Sequence, residues 1–472
     1  MHIQARSGMA GDFLARLRGQ GLVAQLVRGS SSGLVSRIAA AGVGFVSVGV
    51  LTNYLGIEHY GDYAYALAWL TMLATVGRLG FNKSAIRYLA SYRASSDWPR
   101  IRGFILYCRR ITYWISTAAA LLVAGVLWLA WDPIAAYYGN ERFLIAMMLA
   151  LISLPLLSYL QVSEGVLDGF KKVAQSQIPL RIARPGLIAL FTVMVYSWTT
   201  MGRTVSTSGA TVMTVESAMI INLAATLMAL LLAGVLVRRT LPAEVKTANP
   251  VFESRDWFIT SRDMMWTSGF NLVIFEADQI LLGLFSTTED VGVFSVASRV
   301  AQLLIIALTA TNAILYPMTA DLFARKKMHE LQRIVTLGAN AVFFIAIALA
   351  VVLFVGSGYL ELIFSEGFGA STPLLRVLII GQIVNAFTGP ALLLLNMTGH
   401  HRDSARILGF TAIINVVMNV GLIKLYGAMG AAVATSLSII LWNTIAAFVV
   451  WHRLKIVSTA LYWPKKRGNT SE

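Results

Sequence analysis

Of the ionisable residues inside long apolar stretches of this chain, five are candidates for chemistry: Arg37, Arg78 and Arg299, and the carboxylates Glu276 and Asp278, while Arg376 lies close to the end of its stretch and is expected to snorkel. A charge in such surroundings is costly and usually functional. Arginine carries a planar, permanently charged fork that matches phosphate and carboxylate oxygens two at a time, so three of them point to recognition of an anion. A carboxylate in the same setting takes up a proton or a small cation, or neutralises an arginine. At about 1.5 Å of helical rise per residue, Arg299 lies about 12 Å in from one end of its stretch, while Glu276 and Asp278 lie about 14 and 10 Å from the same surface on the preceding stretch. One arginine and two carboxylates are therefore expected at one depth. Either they form a fixed pair that keeps both charges buried, or the pair opens to admit an anion and leaves the carboxylates to a coupling cation or proton. Two residues apart, Glu276 and Asp278 point to different helix faces; Asn271, Phe275 and Asp278 share one, making Asp278 the better cavity candidate. Arg37 and Arg78 lie near the opposite surface, where they either snorkel or line an entrance for a phosphate-bearing lipid.

The elements that must hold these residues are apolar stretches at roughly 32–55, 61–81, 105–130, 143–163, 178–198, 212–236, 262–285, 291–318, 335–356, 373–397, 405–424 and 428–450, each long enough to cross about 30 Å of hydrocarbon as a helix. The composition agrees: 57% hydrophobic, 13% charged, with a mean hydropathy of +0.69. Of the 38 Lys and Arg residues, only Arg142, Arg203 and Lys424 fall at connections after odd-numbered stretches. Basic connections resist translocation, so this partition places both termini in the cytoplasm. The fold class is an all-α polytopic membrane protein of twelve transmembrane helices. The net charge of +15 is then a by-product of topology, and with no aromatic-basic platform beside it nucleic acid is not an expected partner; the bilayer is. Cys108 is the single cysteine, which excludes a disulfide framework and a cysteine-based metal site. The first stretch is too long for a signal-peptide core and is expected to stay as a span. Before it, Met9–Arg28 mixes apolar and basic residues in a pattern that suits an interfacial helix or a basic tail.

The chain repeats itself. Gly61, Tyr63 and Ala66, after the first hairpin, match Gly292, Phe294 and Ala297 after the fourth. Gly169-Phe-Lys-Lys172 matches Gly399-His-His-Arg402, and Gly209-Ala210, Ser217 and Asn222 match Gly430-Ala431, Ser438 and Asn443. The organisation expected is a cytoplasmic segment 1–31, a six-helix lobe 32–237, a linker 238–261, a second six-helix lobe 262–452 and a cytoplasmic tail 453–472. With an even number of spans per half, both lobes insert the same way up and enclose a cleft between them. Arg37, Arg78 and Arg299 have no basic counterpart in the other half, which favours a functional role over a role in the fold. No metal-ligand spacing, phosphate loop or nucleophile elbow is present, and no cofactor and no enzymatic activity are expected.

The hairpin from Leu55-Gly56 to Gly61-Asp-Tyr-Ala-Tyr-Ala66, its second copy, Asp278-Gln-Ile-Leu-Leu-Gly283 and Tyr426-Gly427-Ala-Met-Gly430-Ala431 resemble the polysaccharide-transporter branch of the MOP superfamily, the Wzx-type oligosaccharide flippases. The resemblance covers roughly residues 30–455, as a diffuse likeness without one diagnostic motif. It implies a two-lobed MATE-like fold that moves undecaprenyl-pyrophosphate-linked glycans from the inner to the outer leaflet of a bacterial cytoplasmic membrane. Coupling to a proton or sodium gradient, and other polysaccharide assembly proteins as partners, are further expectations. The related lipid II flippases carry cavity arginines on their first, second and eighth spans, where Ser36-Arg37, Arg78 and Arg299 stand here. Twelve spans rather than fourteen set this chain apart from them. The alternatives are a lipid II flippase, a MATE-type drug or cation antiporter using Glu276 or Asp278, and a membrane glycan polymerase, against which the short outer connections argue.

Overall fold

A computed structural model describes residues 22–138, 141–201 and 213–462. Most of the segment Met9–Arg28 lies outside these residues, as do Arg203, Gly209 and Ala210, and so do the side chains of Asn271 and Phe275. Among the described residues there is no strand. A helix satisfies its own backbone polar groups, which hydrocarbon does not do for it.

Among the described residues eight helices are long and apolar enough to cross a membrane. Two are far longer than one crossing requires, Leu22–Gly77 with 56 residues and His401–Leu454 with 54. Each is interrupted at a single glycine with positive φ, Gly56 (69°) and Gly427 (54°), a conformation that a Cβ disfavours. These are the positions of the expected hairpins between spans 1 and 2 and between spans 11 and 12. Span 7 is Ser254–Phe285. Span 8 begins as Thr288–Ala301, with Thr287 capping the Asp290 N–H at 3.2 Å, and continues past a 3-10 turn as Ile305–Ala324.

Two faces of the molecule differ in packing. On the hairpin face one apolar core runs through both halves of the chain, joining Leu55, Tyr63 and Tyr65 to Phe294, Phe364 and Phe368. On the basic face the halves keep separate cores, one around Phe81, Phe104, Cys108 and Trp257, the other around Leu331, Leu394, Ile407 and Val450. Halves that share a core at one face and not at the other leave a cleft that opens at the second. Gly61 and Gly292, paired by the internal repeat, touch each other on the shared side: a Cβ on Gly292 would sit 3.1 Å from the Gly61 Cα, and one on Gly61 would overlap the Thr288 carbonyl. Gly61→Leu is therefore expected to disfavour closure of the hairpin face by about 1–3 kcal/mol, a roughly 5- to 150-fold shift between two conformations. With Cys108→Ser and Ser295→Cys as background, a membrane-impermeant maleimide added from the hairpin side should label only the Gly61→Leu protein; equal labelling with and without it contradicts the closure.

The linker is fastened to the first half. Val251 N–H donates to the Pro99 carbonyl at 3.2 Å, Arg102 to the Ala248 carbonyl at 2.7 Å and Arg100 to Glu253 at 2.7 Å. Burial pushes the Tyr92 hydroxyl up to about 12, so it stays protonated, donates to Glu253 and accepts from the Trp257 indole. Span 7 thus begins against the first half, while further along it packs on spans 11 and 12. At the other end of the chain, Gln332 holds the Val457 backbone through both its N–H and its carbonyl, each at 2.8 Å, and Ile456, Ser458 and Ala460 are buried.

Candidate functional site

The cleft contains two connected chambers. The deeper, about 350 Å³, is lined by Tyr60, Tyr63, Arg184, Glu276, Ser295 and Arg299 among others. The shallower, about 710 Å³, lies toward the basic face and includes Arg37, Lys83, Gln161, Glu164, Asp168 and Thr309. Ala40, Ala41, Arg181, Glu276 and Gln302 belong to both walls, so the two form one path. Five basic side chains line it, Arg37, Lys83, Arg181, Arg184 and Arg299, against three acidic ones, Glu164, Asp168 and Glu276. The lining carries a net positive charge.

The sequence-derived residues separate into three groups. Arg299 and Glu276 do meet in the deep chamber, yet the expected fixed pair is not closed: among the described residues Arg299 makes no ion pair and no side-chain hydrogen bond. It stands in the last turn of Thr288–Ala301, just before the 3-10 turn, where the helix already departs from regular geometry. Arg37 is exposed at the wall of the shallow chamber. Arg78 is one step removed from the path. The helix ends at Gly77, and Arg78 falls in the turn that follows. Its guanidinium donates to Gln161 at 2.9 Å, and Gln161 is the residue that faces the chamber. Arg78 therefore positions a wall residue and does not line the wall.

The two carboxylates exchange the roles expected of them. Glu276, not Asp278, lines the cavity. Asp278 is 1% exposed and points into the second half, where it accepts from Asn415 at 3.2 Å, Asn419 at 2.5 Å and Thr435 at 2.5 Å. No cation is among these partners, and the side-chain oxygens of Asn415 and Asn419 are themselves buried without a donor. A carboxylate taken out of water among neutral groups needs a proton or a cation to balance it. Two amide N–H groups and a hydroxyl face the carboxylate, and turning the two amides about would present their oxygens beside it, an oxygen set that fits a small hard cation.

Arg181, Arg184 and Lys83 were not among the sequence candidates. Arg181 and Arg184 stand at the start of span 5 and are counted there with the preceding basic connection. The signal that marks them is two arginines close together beside Pro185 in an otherwise apolar run. Arg181 is paired with Glu164 at 2.9 Å. Arg184 is held only by neutral acceptors, Asn222 at 2.7 Å and Thr226 at 3.0 Å. Asn222 is one of the residues of the internal repeat; its counterpart Asn443 instead accepts from Thr388 at 3.0 Å.

Known proteins share this architecture. The family model for polysaccharide biosynthesis proteins matches residues 26–323, well over half of the chain, and the MatE model matches residues 264–420. The probable flippase AglR of Haloferax volcanii is 30% identical over 172 residues, which is 36% of this chain and 36% of that protein. The match thus spans only about a third of that relative's length. Among solved structures, a multidrug resistance MATE family transporter in an inward-facing conformation superposes with a TM-score of 0.70 at 14% identity, covering 89% of this chain and 98% of the other. A MOP superfamily transporter from Pyrococcus furiosus, whose binding pocket has reverse polarity that suggests a different function for it, superposes with a TM-score of 0.61 at 13% identity, covering 91% and 95%. At such identities the likeness establishes the fold.

Proposed function

The chain belongs to the polysaccharide biosynthesis protein family, and from that premise we propose that it is a transporter, not an enzyme, that flips a polyprenyl-pyrophosphate-linked oligosaccharide across a cytoplasmic membrane. The observation that carries the proposal is the net positive cleft, with Arg299 unpaired in its deep chamber. A diphosphate headgroup with its sugars does not cross hydrocarbon unaided, because each buried charge or hydroxyl left without a partner costs several kcal/mol. Arginines and polar walls supply those partners while the lipid tail stays in the bilayer. The basic face is the cytoplasmic one by the positive-inside rule, so the cleft admits substrate from the inner leaflet. Outward movement of each negative charge gains about 2.3 kcal/mol per 100 mV of an inside-negative potential. A cation antiporter would be served by the opposite charge on the lining.

Asp278 is the seat of the coupling ion in this reading, taking either a proton or sodium. It lies on span 7 two residues from Glu276, so its charge state bears on the helix that lines the cavity. The test of the transport activity is reconstitution in proteoliposomes with a fluorescent polyprenyl-pyrophosphate-linked oligosaccharide in the leaflet of the basic face. Appearance of the glycan on the hairpin face, detected by an impermeant quencher, is the expected result; movement no faster than in protein-free vesicles refutes the proposal.

A further inference from the structure

We infer that Arg184 and Arg299 form a clamp for one diphosphate group, one arginine contributed by each half of the chain. The inference rests on the flippase reading and deepens it, since it assigns the diphosphate its seat. Both guanidinium groups line the deep chamber. Arg299 makes no ion pair and no hydrogen bond among the described residues, and the hydrogen bonds of Arg184 go only to the neutral oxygens of Asn222 and Thr226. Glu276 is the one acidic side chain on that wall, while Arg181 spends its charge on Glu164. Two guanidinium ions facing one carboxylate in the chamber repel each other, and an anion with two charged ends joined by a short bridge relieves that repulsion. A diphosphate is such an anion: each phosphoryl group offers the oxygens that one planar fork grips two at a time.

The local backbone explains how Arg184 comes to face the chamber. Span 5 opens with a π-turn, Ile178–Ala183, in which the Arg184 N–H bonds to the Pro179 carbonyl five residues back. Pro185 follows, with no N–H to give and a ring that crowds the carbonyl four residues before it. Widening the turn relieves that crowding, and such π-turns recur at functional sites. Asn222 and Thr226, four apart on span 6, then fix the guanidinium from behind and leave its remaining N–H groups for the chamber. Because Arg184 belongs to the first half and Arg299 to the second, a diphosphate held by both draws the halves together at the basic face. Substrate binding and closure of the cleft become one event.

The test uses the purified full chain in nanodiscs, with Cys108→Ser and spin labels at Lys172→Cys and Arg402→Cys, the repeat-related ends of spans 4 and 10. Inorganic pyrophosphate is titrated, with orthophosphate as the comparison and undecaprenyl pyrophosphate as the lipid-borne form of the same group. The parent is expected to bind pyrophosphate more tightly than orthophosphate and to shorten the inter-label distance on binding. Arg184→Gln and Arg299→Gln should each weaken pyrophosphate binding on the order of tenfold or more and abolish the shortening. Arg184→Lys keeps the charge without the planar fork and should lose the preference for pyrophosphate over orthophosphate; it carries the test if Arg184→Gln does not fold. Parent-like affinity and preference in the Arg184 variants overturn the clamp. A parent that exports glycan in proteoliposomes without closing on pyrophosphate overturns the clamp alone. A parent that closes on pyrophosphate and exports nothing overturns the flippase reading alone.

Discussion

Arg299→Ala abolishes glycan export and leaves a folded protein in the membrane: that is the expected result with the largest effect on activity. In most proteins, removing a buried arginine strands the carboxylate it was paired with, and stability falls by several kcal/mol. Here Arg299 is exposed to the chamber and makes no ion pair or hydrogen bond among the described residues, so the substitution breaks no bond and removes only its attraction for Glu276 across the chamber. The folded state should be about as stable as the parent's. The substrate, in contrast, loses charge-assisted hydrogen bonds of about 1.5–3 kcal/mol each, and losing two of them lowers export on the order of 100-fold or more. Glu276→Gln in a chain that keeps Arg299 separates the two uses of the pair. If Glu276 receives Arg299 when the substrate leaves, Glu276→Gln slows release and lowers turnover while tightening binding. The measurements are export in proteoliposomes, substrate binding, and a thermal melt in detergent. Parent-like export by Arg299→Ala contradicts the role given to the cavity; a collapsed melt contradicts its being unpaired.

The contrast between Glu276 and Asp278 shows where sequence reasoning stopped. Hydropathy and the placement of lysine and arginine give the spans, and the repeat gives two related halves; these signals are set by the bilayer and act over twenty residues at a time. The positive-φ glycines Gly56 and Gly427 lie at the expected hairpins for the same reason. Depth along a helix was also legible, since rise per residue is nearly constant, and it brought Arg299 and Glu276 to one chamber. Azimuth was not. Which of two carboxylates two residues apart faces the cleft depends on how span 7 is rotated against spans 11 and 12, and that rotation is set by Asn415, Asn419 and Thr435, more than a hundred residues further on. Arg184 escaped notice for a related reason. The π-turn shifts the register of span 5 by one residue, so the face it shows cannot be computed from a regular period of 3.6. Arg78 stands one step back from the wall because the helix ends at Gly77 and its guanidinium donates to Gln161.

Asp278→Asn is expected to uncouple export from the ion gradient. Its carboxylate is buried with three neutral donors, and the amide oxygens of Asn415 and Asn419 find no donor. The three hydrogen bonds tie span 7 to spans 11 and 12, and an ion that neutralises the carboxylate changes how firmly they hold. Binding of the ion is thereby a change in how span 7 sits, and Glu276, on the same rigid helix, carries that change to the deep chamber. Coupling between two such sites is typically worth about 1–3 kcal/mol, or about 5- to 150-fold in affinity. If sodium is the ion, sodium chloride raises the melting temperature of the parent where choline chloride does not, and at a hundredfold excess over its dissociation constant the gain is about 2.7 kcal/mol. If a proton is the ion, the parent responds to pH and not to sodium. In either case Asp278→Asn, which carries no charge to balance, loses the response, and its export ceases to follow the gradient. A parent indifferent to both ions, or an Asp278→Asn protein that responds as the parent does, removes Asp278 from the coupling path. Span 7 would then act on the cavity through Glu276 and Arg299 alone, driven by the substrate's own charge in the membrane field.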